Sequence, residues 1–592
     1  MKQLLSLNKY FARYKWRILS GIFFVICATA LSVYNPVITK SAVDLIVDNL
    51  KNINPQSPLS EQLKGDITWQ VFILFLKYLV VALLAGGFTF LMRQTIIVVS
   101  RLVEYDLKNE IYDHYQKLDL AFYRRNNTGD MMNRITEDVS RVRMFIGPAI
   151  MYSVNLFFTI TFAVVSMFLI NPTLTLWVLI PLPVLSFAIF FINQIIGKYS
   201  TRIQEKLSDL TTTAQETFSG IRVVQAYARE SEMLGFFEKE SQSYKQSQLD
   251  LAKVDSLYFP IMTFLVGCSI IIVVYVGGLQ VGEGKLSAGD IAAFLMYTNM
   301  LMWPVSSLGW VAAMIQRAIV SQKRINEFLD YKPAINDESG IERQIIGDIE
   351  LRNVTFCYPD TGIVALKNVS FTVGAGKRLA VIGKTGSGKT TIAELLLRMY
   401  NATEGTILID GVDITRYRVG ALRKQIGFVP QDIFLFSETI TENIGFGVEK
   451  AGIEEARTFA RYAVIDKEID SFPQGYETMV GERGVTLSGG QKQRISIARA
   501  LIKKPNVLLL DDSLSAVDTT TEKQIQHNLN QLLHDKTAII ITHRIFSLIQ
   551  FDNIIVLDDG KVVEQGTHEY LLQNKGLYAD IYAKQMSEQQ DE

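Results

Sequence analysis

Leu379-Ala380-Val381-Ile382-Gly383-Lys384-Thr385-Gly386-Ser387-Gly388-Lys389-Thr390-Thr391 decides how the second half of the chain folds. The four apolar residues fit a short buried strand. A turn punctuated by Gly383, Gly386 and Gly388 follows, and then a helical stretch, Thr391–Met399. The spacing G-x-x-x-x-G-K-[ST] between strand and helix is that of a phosphate-binding loop. Glycines let backbone N–H groups converge on phosphate oxygens. Lys384, Thr385 and Ser387 fill the loop, Lys389 neutralises the β- and γ-phosphates, and the Thr390 hydroxyl can ligate Mg²⁺, with Thr391 beside it. Downstream, the apolar run Val507–Leu510 ends in Asp511, the carboxylate expected to help organise that Mg²⁺. Further β-rich runs, Ile349–Tyr358, Arg378–Ile382 and Ala538–Ile541, alternate with helical stretches, so the chain from about residue 331 reads as α/β.

The first half reads differently. Residues 18–39, 144–197, 256–282 and 291–316 carry no charge, and 67–92 carries only Lys77. A bilayer core needs about 20 apolar helical residues. The 144–197 run holds two such lengths, broken by Asn171-Pro172, so six transmembrane helices are expected. The apolar run continues past Ala28-Thr29-Ala30 to Thr39, which reads as a retained first span rather than a cleaved signal peptide. Lys2, Lys9, Arg13, Lys15 and Arg17, with no acid among residues 1–17, predict a cytoplasmic N-terminus. The charged connections 101–143 and 198–255 then lie inside. Each can form two helical arms of about 20 residues, reaching roughly 30 Å below the membrane.

Of the 592 residues 48% are hydrophobic and 20% charged, which excludes intrinsic disorder. The formal net charge of −1 gives no reason to expect nucleic acid as a partner. Cys27, Cys268 and Cys357 have no metal-ligand spacing and read as small apolar residues.

Leu487-Ser488-Gly489-Gly490-Gln491 lies between the loop and Asp511, and here the chain resembles the ATP-binding cassette (ABC) transporter family, whose signature this pentapeptide is. The resemblance gives roles to further residues in order. Tyr358, in Phe356-Cys357-Tyr358-Pro359, matches the aromatic that stacks on adenine. Gln431 matches the glutamine that senses Mg²⁺ and the γ-phosphate, Asp518 in Ser515-Ala516-Val517-Asp518 the loop that acts across a dimer, and His543 the γ-phosphate histidine. The six spans fused ahead of one cassette resemble the exporter branch, as do Phe122-Tyr123 with Thr128-Gly129-Asp130, Gly220-Ile221-Arg222-Val223-Val224 and Val480-Gly481-Glu482-Arg483-Gly484. The implied fold is an α-helical membrane domain of exporter type followed by an α/β nucleotide-binding domain with the family's helical subdomain. The boundaries expected are 1–325 for the membrane domain, 326–348 for a linker and 349–592 for the cassette.

In this family two cassettes stack head to tail, each ATP lying between one loop and the other chain's signature. The resemblance therefore implies a dimer in a lipid bilayer, with ATP and Mg²⁺. One departure stands out: Asp512 occupies the position of the family's catalytic glutamate. Aspartate is one methylene shorter, about 1–1.5 Å, and a misplacement of about 1 Å can cost around 100-fold in rate. With the signature intact, the pattern resembles the degenerate-site member of a heterodimeric exporter. A homodimer in which Asp512 is competent is the alternative, and an importer or an ATP-gated regulator on the same fold are further ones. The cargo expected is an amphipathic drug, lipid or peptide, and the host a bacterial plasma (inner) membrane with the cassette cytoplasmic. Arg134, Glu137, Asp138, Glu216, Arg222 and Glu230 are expected near the coupling surface. Tyr34, Asn35, Lys77, Arg93, Asn155, Tyr297, Asn299 and Trp303 are polar or aromatic within the spans, and polar groups there face the bundle interior.

Overall fold

The structure is a computed structural model that describes residues 2–50, 59–335, 340–481, 484, 487–532, 534–544 and 551–590. The chain divides into two compact units, residues 1–113 with 129–331, and residues 114–128 with 332–592.

The first unit is helical. Among the described residues six helices are long and apolar enough to cross a membrane: Lys15–Asn49, Gly65–Lys117, Thr128–Ile170, Pro172–Ser219, Glu230–Gly282 and Ala288–Leu329. The charge-free runs set their apolar centres, and the polar arms extend the same helices well beyond them. Asn171 makes the break between the third and fourth helices. Its side-chain oxygen accepts from the Leu174 amide at 2.9 Å, capping a helix that begins with Pro172, whose missing N–H costs nothing at that position. The last helix opens with a capping box between Ser287 and Asp290, and Asp44 of the first helix accepts from the Gly289 amide at 2.8 Å and from the Ser287 hydroxyl at 2.9 Å. Each long connection is two helical arms joined by a six-residue helix, Leu120–Arg125 in one and Ile221–Ala226 in the other. The first connection divides between the units, because 114–128 packs within the second.

The second unit is built on two sheets. β1 (Ile349–Cys357), β2 (Val364–Val373), β4 (Glu404–Ile409) and β5 (Val412–Asp413) form an antiparallel sheet ordered β2-β1-β4-β5. β3 (Arg378–Gly383), β6 (Ile426–Val429), β7 (Val507–Asp511), β8 (Thr537–Ile541), β9 (Asn553–Asp558) and β10 (Lys561–Gly566) form the other, ordered β10-β9-β3-β8-β7-β6. Within it β9, β3, β8, β7 and β6 run parallel, and β10 is an antiparallel edge. A parallel sheet is covered on both faces, which is why β7 is buried at every residue and its sequence is an unbroken apolar run up to Asp511. Helices Ile453–Tyr462 and Gly489–Leu501 and the short helix Asp466–Asp470 pack around a separate core containing Phe459, Ile469, Ile495 and Leu501.

Candidate functional site

Parallel pairing puts the C-terminal ends of β3, β6, β7 and β8 on one edge, where ligands of open α/β sheets bind. Val429 of β6 pairs with Leu510 of β7, Asp511 with Ile541 of β8, and Ile541 with Val381 of β3. The residues that follow these strands therefore emerge together: Gln431, Asp511-Asp512, His543 and the glycine loop. The loop's glycines are required by its path. A Cβ on Gly383, at φ +152°, would stand 2.1 Å from the Leu557 carbonyl oxygen, and one on Gly388, at φ +98°, 2.4 Å from the Ala365 carbonyl oxygen. Gly388 precedes the helix Lys389–Leu396, whose first amides are free for an anion. Lys389 is 7% exposed and donates to the carbonyls of Gly383 (2.8 Å) and Lys384 (2.7 Å). The Ser387 hydroxyl is buried without a hydrogen-bond partner among the described residues.

Five side chains form one electrostatic group. Burial lowers the Lys389 ammonium, with the Asp511 and Asp512 charges opposing. Burial raises the Asp511 carboxyl, opposed by a hydrogen bond with Thr390 and by the Lys389 charge. Burial and the Lys389 charge lower His543, with Asp512 opposing. Asp511 is 2% exposed and its Oδ2 has no hydrogen-bond partner among the described residues. A buried carboxylate with a spare oxygen beside a threonine hydroxyl is the donor set a hard divalent cation takes, so these residues fit Mg²⁺. Asp512 adopts the left-handed region at φ +47°, and its amide donates to the Ile541 carbonyl at 2.8 Å. Asp is among the few side chains that tolerate this conformation. Gln431 is exposed in the turn after β6.

The signature residues belong to another part of the unit. Ser488 caps Gly489–Leu501 in a capping box with Gln491. Gln493 of that helix accepts from the Ala516 amide at 3.0 Å and donates to the Ser515 hydroxyl at 3.2 Å. A Cβ on Gly490 would lie 2.9 Å from the Ala516 carbonyl oxygen. Asp518 caps Thr519–Leu532, accepting from the Thr521 amide at 2.9 Å. Among the described residues no hydrogen bond or ion pair joins Ser488, Gly489, Gly490 or Gln491 to the phosphate loop. Glu482 and Arg483 lie outside the described residues.

Sequence reasoning missed two groups here. Arg544 donates to the Ser515 carbonyl at 2.8 Å and pairs with Glu522 at 2.5 Å, fastening the segment after β7 to the one after β8. Around Tyr358, the phenol hydrogen-bonds Thr391 (2.8 Å) and donates to Glu394 (2.9 Å), and the ring stands edge-on to Phe356 and Tyr400. Arg124 lies 5.0 Å from the Tyr358 ring centre, 5.6 Å from that of Tyr400, and 2.6 Å from Glu394. Arg125 donates to the Pro359 carbonyl, and Asp119 both caps Leu120–Arg125 and accepts from the Ala334 amide at 2.9 Å. Nothing in the spacing around Phe122-Tyr123 marks Arg124 as different from an ordinary surface cation.

Residues 18–305 match the family model described as ABC transporter transmembrane region, and residues 366–515 the one described as ABC transporter. A probable multidrug resistance ABC transporter ATP-binding/permease protein, YheI of Bacillus subtilis (strain 168), is 39% identical over 82% of this chain and 83% of its own. The chain belongs to the ABC transporter family. An ATP-dependent lipid A-core flippase of Syntrophus aciditrophicus (strain SB) is 35% identical to the transporter over 88% of this chain and 86% of its own. A structure of a bacterial Atm1-family ABC exporter with ATP bound superposes with TM-score 0.79 at 28% identity, covering 97% of the transporter and 99% of that chain. The transporter is a half-transporter of exporter type, an integral multi-pass membrane protein that binds ATP and couples ATPase activity to transport.

Of the residues expected near the coupling surface, Arg134 and Asp138 are tied within the first unit and the others are exposed. Arg134 pairs with Asp130 at 2.7 Å, and buried Asp138 accepts from Ser321 at 2.8 Å and pairs with Arg324 at 3.4 Å, all within the first unit. Glu137 lies 4.0 Å from Arg141, while Glu216, Arg222 and Glu230 are exposed. Of the polar residues in the spans, Tyr297 is fully buried with its hydroxyl on the Val33 carbonyl, a packing group, whereas Asn299 is exposed and bonds the Leu295 carbonyl of its own helix. Lys77 reaches the Tyr34 hydroxyl at 3.2 Å, Asn155 donates to Thr29 at 3.2 Å, and Trp303 is exposed.

Proposed function

We propose that the chain exports an amphipathic substrate as one half of a heterodimer, in which the ATP held by its own phosphate loop is hydrolysed slowly. The observation that carries this reading is Asp512. It follows β7 beside Asp511 and within electrostatic reach of Lys389 and His543, the place for a group that orients a water, with a side chain one methylene short of glutamate. In this reading the loop from Gly383 to Thr391 cradles the phosphates, and Tyr358 meets the adenine. Ser488, Gly489, Gly490 and Gln491, unconnected to that loop, serve the ATP held by a partner, and Asp518 faces it. Thr390, Gln431 and Asp511 hold Mg²⁺, which neutralises phosphate charge when bound. His543, kept neutral by burial and by Lys389, is free to hydrogen-bond the terminal phosphate.

A partner is also favoured by the tip of the second connection. Phe218 is 73% exposed, Val223 61% and Tyr227 75%, large apolar side chains left uncovered by the described residues. ATP binding closes the paired cassettes, and the segment 114–128, continuous with helices on both sides, carries the motion to the spans. The chain-terminal arms and cassette lie on the cytoplasmic side in this reading, as the basic N-terminal segment requires.

The experiment is the steady-state ATPase rate of this chain purified alone in lipid beside its Asp512→Glu variant. Negligible native turnover raised about 100-fold by glutamate is the outcome expected from a 1 Å repositioning. Robust native turnover that glutamate does not improve would mean Asp512 is competent and a homodimer suffices.

A further inference from the structure

We propose that a cavity among the first, second and third spans binds the anionic head of an amphipathic molecule, with Arg93 as its principal contact. This rests on the reading of the chain as an exporter of an amphipathic substrate and names the charge of that substrate. The cavity has a volume of about 290 Å³, and its polar lining includes Thr29, Ser32, Thr89, Tyr152, Asn155 and the exposed Arg93. Each helix brings these residues by its own period. Thr29 and Ser32 are three apart, Thr89 and Arg93 four, Tyr152 and Asn155 three, so each pair shares one face.

All three helices place the cavity inside the apolar layer. Thr29 is 12 residues from Arg17 (29 − 17), Asn155 is 12 from Arg143 (155 − 143), and Arg93 is 8 from Arg101 (101 − 93). At about 1.5 Å per residue these are roughly 12–18 Å from the charged ends of the apolar layer. An ionised side chain there is costly and marks function unless it is paired. Among the described residues Arg93 makes no ion pair or hydrogen bond, and no lining residue is a carboxylate. The Tyr152 hydroxyl is likewise without a hydrogen bond among the described residues, and only one Asn155 amide proton is used, on Thr29. The Ser32 and Thr89 hydroxyls donate to their own helices, at Ala28 and Ala85. The cavity therefore offers one unpaired cation and spare neutral donors. A phosphate, sulfonate or carboxylate satisfies both, since a guanidinium binds such oxygens in pairs. A cationic head would meet Arg93 with nothing to offset it. Met92 and Met151 form the other wall and join Val25 and Ile96 in an apolar cluster, an adaptable surface for an alkyl chain.

The test uses the full chain in nanodiscs of phosphatidylcholine and two diazirine-bearing dodecyl probes that differ only in the head, a phosphate or an amine. Labelled peptides are mapped by mass spectrometry. The phosphate probe is expected to label the segments around 29, 93 and 152 about tenfold more than the amine, the size of one charge-assisted contact. Arg93→Gln brings it down to the amine level, and Arg93→Lys retains most of it. An unchanged elution profile and ATP affinity certify the fold of the glutamine variant. Equal labelling by the amine, or undiminished labelling of Arg93→Gln, overturns the proposal. Displacement by millimolar inorganic phosphate alone overturns the requirement for an apolar chain. Labelling is read without ATP, so a phosphate probe that labels as expected but is not moved by ATP in sealed vesicles would leave the site standing and sink the transport reading.

Discussion

Arg124 Nη2 lies 2.6 Å from Glu394 Oε1, and the same guanidinium stands over the rings of Tyr358 and Tyr400. Glu394 sits in the helix that begins at Lys389, and it also accepts the Tyr358 phenol. One carboxylate thus joins the tip of the first long connection to the aromatic proposed for adenine and to the helix proposed for phosphate. Arg124→Ala is expected to leave ATP affinity within a few-fold while transport per ATP falls about tenfold, from loss of a charged hydrogen bond of ~1.5–3 kcal/mol. Arg124→Glu combined with Glu394→Arg should recover part of the loss. Equal transport by the native chain and the alanine variant would remove Arg124 from coupling.

The glycines of the phosphate loop are not equivalent. Gly386, at φ +81°, has open space where a Cβ would go, so Gly386→Ala meets only the left-handed backbone, about 1–2 kcal/mol. Gly388→Ala meets the same backbone penalty and the Ala365 carbonyl oxygen at 2.4 Å. Nucleotide titration should show the second variant losing at least about tenfold more affinity than the first, from a further clash of 1–3 kcal/mol typical of overpacking.

Asp511 carries a pH signature. Its folded pKa is raised by burial, so the folded state holds that proton more tightly than the unfolded chain. The sign follows: this group's contribution is fully present below the unfolded pKa and is lost as pH rises through the folded one. Without nucleotide at neutral pH, Asp511→Asn is expected to melt higher than the native chain. The gap should close as pH falls and the native carboxyl protonates. The variant should also lose Mg²⁺-dependent turnover. A gap that widens in acid would contradict the assignment.

The proposed asymmetry makes Ser488 and Lys389 answer to different ATP molecules. In the assembled heterodimer, Ser488→Arg is expected to abolish turnover at the partner's site. Lys389→Ala should mainly release the nucleotide retained by this chain, with turnover falling less. Ser488→Ala separates the structural part, because losing the cap of Gly489–Leu501 costs only about 1 kcal/mol. Equal loss of turnover from Ser488→Arg and Lys389→Ala would point to two equivalent sites.

Features whose cause is local can be read from the residues alone. Uncharged runs of bilayer length define the spans, Asn171-Pro172 their tight turn, and the glycine spacing a loop that only residues without a Cβ can follow. The apolar strands ending at Gly383, Asp511 and Ile541 are equally readable, since burial on both faces of a parallel sheet demands them. Arg134 and Asp138 show where such reading stops. They are charged and lie on an arm, and nothing local to them names their partners, Asp130, Ser321 and Arg324 of the helical unit. Only the tertiary structure selected Arg124, whose partner is 270 residues away, turned Asp512 into the left-handed region against Ile541, and gave Arg93 no partner among the described residues in a cavity shared by three helices. A backbone constraint leaves its trace within a few residues of its cause. A charge's partner is chosen by which surfaces the whole chain brings together, and that choice leaves no local pattern.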